Sequence, residues 1–145
     1  MKNKDIIKQL VPGVIAGIIL GLGIGFIVGV DKSDAMKNSI GGLMACFIAS
    51  ALNCTIVVKG TAKVLKRKIS VLKAFTGSLV EIICGAIMGL LFHVIILDKV
   101  LEYNTCTFSK MQMTIVNMIL AVVVSTIMAY IAIKRYEKRV KYTKR

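Results

Sequence analysis

One acid and one histidine stand inside long apolar stretches of this chain, and they set the chemistry it could perform. Glu81 is the only acid within such a stretch, and His93 is the only histidine in the sequence. In hydrocarbon a carboxylate is costly and faces a protein interior or a wet cavity, where it can carry a proton or ligate a cation. The competing reading is that Glu81 snorkels to the interface or pairs with Lys73. His93 has no Cys, Asp or Glu at ligand spacing, which makes a poor metal site. A helix places it ~18 Å from Glu81, too far for direct proton transfer, so it reads as a hydrogen-bonded packing residue.

Asn53 and Asn117 are the other strong polar groups in the apolar stretches. Each either cross-links helices, contributing ~0.6–2 kcal/mol, or coordinates a solute. Asn53 lies at a depth comparable with Glu81, so contact between the two is geometrically allowed, and Asn117 lies nearer His93. Glu81, Asn53, Asn117 and His93 are thus the candidate solute or proton site. No Ser/His/Asp, Cys/His or paired-carboxylate arrangement is present, so the sequence implies no enzyme, no metal and no cofactor. GLGIGF at 21–26 lacks the strand and soluble loop of a phosphate-binding turn.

Helices must position these groups. The chain is 57% hydrophobic and 19% charged, and its charges are segregated: 9–30, 38–58, 82–97 and 111–133 contain no Lys, Arg, Asp or Glu. Extended to their caps, these intervals approach the ~20 residues that cross ~30 Å of hydrocarbon. The expectation is an all-α integral membrane protein, one domain over 1–145. Its four transmembrane helices fall at about 10–30, 39–58, 74–97 and 110–133, with a basic loop 59–73 and a basic tail 134–145. Pro12 suits the first turn of span 1, Asn38 or Ser39 a cap of span 2, and Ser109 with Gln112 a capping box at span 4. The first apolar run is too long for a signal-peptide core and no small-x-small site follows it before Asp31, so it reads as a retained span.

Basic residues orient the spans. The N-terminus, loop 59–73 and the tail hold 16 Lys and Arg, and the other two loops hold 4. The positive-inside rule therefore puts both termini in the cytoplasm of a prokaryotic (inner) membrane. The same arrangement explains the net charge of +13 without nucleic acid. Lys63, Lys66, Arg67 and Lys68 are expected at anionic headgroups or a partner surface. Leu65, Ile69 and Leu72 recur at helical spacing, which suggests a short interfacial helix, and the tail can continue span 4. Cys46, Cys54 and Cys84 fall in spans as small hydrophobes, and Cys106 falls in a loop.

Glycines supply the last pattern. Gly13, Gly17, Gly21, Gly25 and Gly29 fall four apart in span 1, and Gly77, Glu81, Gly85 and Gly89 do so in span 3. Helices in lipid associate through close packing and hydrogen bonds, and GxxxG-type ridges of small residues let backbones approach. The ridge of span 1 winds further than one neighbour fills, which points to homo-oligomers or a larger membrane complex. The function expected is an oligomeric transporter or channel-like protein for a small solute or ion. The alternative is a non-catalytic accessory or regulatory subunit.

Overall fold

The structure, a computed structural model, describes residues 3–27, 35–97 and 110–143. No strand occurs among them. The helices are α1 (Asn3–Ile27), α2 (Ala35–Val64), α3 (Val71–Gly77), α4 (Leu79–Leu91) and α5 (Lys110–Thr143), and α4 runs into a π-helical turn at Phe92–Leu97. Stretches Ser39–Val64 and Thr114–Thr143 are long and apolar enough to cross a membrane. A third crossing is available if Val71–Gly77 and Leu79–Ile95, bent by 57°, count as one broken span.

Burial is inverted relative to a water-soluble domain. Ala45, Ala49, Ser50, Asn53, Ala121 and Ser125 are buried, and Ile15, Ile19, Ile83, Ile87, Ile119 and Val123 are exposed. Large apolar outer faces around a small and polar interior are consistent with an integral membrane protein. α2 packs on α1, α4 and α5, and α1 packs on α5 as well. A core of larger side chains, including Ile6, Val57, Ile82 and Ile133, gathers at the end rich in Lys and Arg. Toward the other end Ala45, Ala49 and Ala121 form a thinner cluster.

Several boundaries differ from the sequence expectation. α1 begins at Asn3, so Pro12 lies inside the helix rather than in its first turn. Its ring removes one backbone bond, which would break an isolated helix. Here buried Ile6 and half-buried Leu10 anchor the preceding turn on the core. α2 is helical from Ala35, so Asn38 and Ser39 lie within it and not at its start. The tail continues α5 to Thr143, whereas Ser109 and Cys106 lie outside the described residues.

Loop 59–73 is mostly not a loop. α2 carries Lys59 and Lys63 to its end at Val64, and the chain turns before α3 starts at Val71. The Arg67 N–H donates to the Ala62 carbonyl (2.8 Å) and the Lys66 N–H to the Lys63 carbonyl (3.0 Å). This pair of bonds is a Schellman ending, with Lys66 in the left-handed position at φ 56°. Leu65, Ile69 and Leu72 therefore share no helix. Ser70 then caps α3 by accepting from the Lys73 N–H at 3.2 Å.

The helical stretch expected as span 3 is broken where Gly77 meets Ser78. Gly/Ser pairs are common kink sites, and a serine that bonds back to its own helix promotes bending. Ser78 Oγ donates to the Ala74 carbonyl at 2.9 Å, and the Ser78 backbone sits at φ −110°, ψ 10°. The break frees the Gly77 carbonyl for a partner on another helix.

Candidate functional site

Beyond the kink, Glu81, Gly85, Gly89 and His93 follow at four-residue spacing, and all four are buried. Gly85 rests against Ser50 and Met128, and Gly89 against Gly42 and Cys46. A seam between α4, α2 and α5 results, with a polar pair near each end.

At the basic end Glu81 Oε1 lies 2.9 Å from Arg135 Nε. Arg135 Nη2 also donates to the freed Gly77 carbonyl at 2.5 Å. One guanidinium thus neutralises the carboxylate and caps the broken helix, tying both sides of the kink to α5. Glu81 is 3% exposed and its other oxygen, Oε2, is buried without a hydrogen-bond partner. The pairing with Lys73 does not form, because Lys73 is exposed on α3 beyond the kink. Arg135, counted as tail in the sequence, is the residue of this buried pair missed there.

At the far end His93 Nε2 and Asn117 Oδ1 are 2.7 Å apart. The ring of His93 lies over Gly42, where any Cβ would collide with it. Both side chains are fully buried or nearly so. Asn117 Nδ2 has no hydrogen-bond partner.

Asn53 belongs elsewhere. Its amide lies flat against Gly13 of α1, in space a Cβ would occupy, so it does not join Glu81. Depth along the bundle matched the two residues, but they face different neighbours. Both Asn53 amide atoms are buried without partners, as is Ser50 Oγ on the seam. Of the span 1 glycines, Gly17 touches Val122 and Ser125 of α5. Gly29 and the surroundings of Gly21 and Gly25 lie outside what is described. Gly77 meets open space, having left the seam at the kink.

The basic candidates separate too. Lys63 sits on the last turn of α2, and Lys66, Arg67 and Lys68 form the exposed turn after it. Cys46 and Cys54 are buried free thiols and Cys84 is an exposed one. Among the described residues no group of three His, Cys, Asp or Glu is placed to hold a metal ion. Comparison of the chain with protein families, with curated proteins and with solved structures finds no match.

Proposed function

We propose that the chain crosses a prokaryotic cell membrane four times with both termini in the cytoplasm, and moves a small solute or ion along the α2–α4–α5 seam. The observation that carries this is the set of buried polar atoms without partners: Ser50 Oγ, Glu81 Oε2 and Asn117 Nδ2 on the seam, and the Asn53 amide beside it. Each such group costs roughly 1–3 kcal/mol when nothing bonds to it, so a packing role alone is a poor use of four of them. A polar guest passing between the helices would satisfy them in turn. In this reading Glu81 and Arg135 form the gate at the cytoplasmic end, and His93 with Asn117 the gate at the outer end. Four helices enclose little volume, and homo-oligomers would widen the route.

The test is flux in vesicles reconstituted with the purified protein, read by a trapped pH dye for protons and by rubidium uptake for cations. Glu81→Gln and Asn53→Leu should each change the flux. Flux equal to that of protein-free vesicles would end the transport reading.

A second reading is favoured by one feature, the neutralisation of Glu81 by Arg135. A clamp that holds a kinked span needs that pairing, and a proton carrier does not. The chain would then be an accessory subunit of a larger membrane complex. A stoichiometric partner retained through purification in mild detergent supports it.

A further inference from the structure

At the basic end, away from the seam, the Schellman turn folds the chain back beside α2 and opens a cleft of about 690 Å³. Lys59, Lys63, Arg67 and Lys68 line it, with Ile56 and Ile69 as apolar wall. The lining holds no carboxylate, and none of the four cations is ion-paired among the described residues. Gln9 of α1 closes one side by lying over Gly60, in space a side chain there would take.

We propose that this cleft is a binding site for the phosphate headgroup of an anionic phospholipid. Four like charges held around one opening repel one another until an anion enters, so the cleft is complementary to phosphate. The apolar wall selects the source. Free phosphate gains nothing from Ile56 and Ile69, whereas a phospholipid sets its glycerol and upper acyl carbons against them while its phosphate meets the cations. The cleft also lies where a headgroup would be. Lys59, Lys63 and the turn cap the apolar stretch of α2, whose exposed Ile40, Met44, Phe47 and Leu52 continue down into the hydrocarbon. The volume falls in the ~300–1,000 Å³ range of small-ligand sites. The basic residues of α5, Lys138 and Arg139, stand exposed and line no part of this cleft, which makes them the natural control. The site rests on the reading of this protein as membrane-embedded, and holds whichever way it moves a solute or fails to.

The experiment uses the full chain in phosphatidylcholine nanodiscs with phosphatidylglycerol titrated in, bound lipid being counted by native mass spectrometry. Saturable retention of phosphatidylglycerol is expected. Lys63→Gln with Arg67→Gln should weaken it by about tenfold or more, since each cation near a membrane surface contributes roughly fivefold. Lys138→Gln with Arg139→Gln removes the same charge and should weaken it by about twofold or less, as diffuse attraction is largely screened. Gly60→Leu keeps every charge but drives Gln9 toward the cleft, and should also lower retention. Equal loss in both charge variants would overturn the site in favour of a diffuse basic surface. Displacement by glycerol phosphate at concentrations equal to the lipid would overturn the lipid as the source. Failure of the chain to insert into discs would overturn the membrane reading beneath it.

Discussion

The two polar pairs that tie α4 and the π-helical turn after it to α5 achieve a similar cross-link by opposite means. Glu81 and Arg135 use charge, bury it beside the largest side chains of the core, and add a backbone bond to Gly77. His93 and Asn117 use a hydrogen bond, with the His93 ring in space that Gly42 leaves open by having no side chain. The charged pair is held by what is present and the neutral pair by what has been left out. Each should therefore fail differently when altered.

The largest effect is expected from Arg135→Met. It leaves the Glu81 carboxylate buried and uncompensated and the Gly77 carbonyl without its donor. Breaking a buried pair on one side costs ~3–5 kcal/mol, and the 29% exposure of Arg135 places this case at the lower bound. Unfolding in mixed micelles by a denaturing detergent measures it. Adding Glu81→Gln to the same chain should recover much of the loss, because the stranded charge is then gone. If the double variant is as unstable as the single one, the guanidinium acts by packing and by its Gly77 bond instead.

Next comes space at the neutral end. A Cβ on Gly89 would lie 2.6 Å from the Gly42 carbonyl oxygen and 2.7 Å from Cys46 Sγ. The first is backbone and cannot step aside, so Gly89→Ala should destabilise by ~1–3 kcal/mol through overpacking. Gly77→Ala belongs to the same four-residue row, yet meets nothing within 4 Å. It should be neutral or slightly stabilising, by up to ~1 kcal/mol. Equal losses at both positions would mean that glycine matters here for backbone freedom and not for contact.

A loss of similar size is expected from Asn117→Leu, which removes the 2.7 Å contact with His93 Nε2 while keeping apolar bulk. Such a change costs ~1–3 kcal/mol when a buried group loses its bond. Thermal unfolding in detergent measures it, and the His93 proton resonances should shift. An unchanged melting temperature would assign the neutral pair to function and not to cohesion.

Much of this arrangement could be read from the sequence because apolar helices follow simple rules. Charge-free intervals mark apolar helices, and the four-residue row through Glu81, Gly85 and Gly89 does identify residues that turn inward. What escaped was azimuth and exception. Residue spacing gave Asn53 and Glu81 a common depth but could not say that one faces α1 and the other α5. Arg135 was hidden by its neighbours, one cation among seven in a stretch that looks like a solvated tail. Its place two residues beyond the last uncharged interval, level with Glu81 on the basic side, was the available signal. The kink at Gly77–Ser78 was present as a residue pair, but a glycine in a small-residue row reads equally well as packing. Only the loss of helix continuity, visible in three dimensions, separates the two.

A small expected gain lies at Lys66. Its φ of 56° puts an ordinary side chain in a conformation that glycine adopts freely. Relief of left-handed strain by Lys66→Gly should stabilise the chain by about 1 kcal/mol, less whatever glycine adds to unfolded-state entropy. Lys66 does not line the basic cleft, so the substitution preserves the cations that do. Measured beside Gly77→Ala, it extends the comparison to a third kind of site, where a glycine is missing from a place that backbone geometry prefers. A gain at Lys66 with no gain at Gly77 would assign backbone strain to the turn and leave the kink unstrained. A loss at Lys66 would show that the lysine side chain contributes more at this turn than its strained backbone costs.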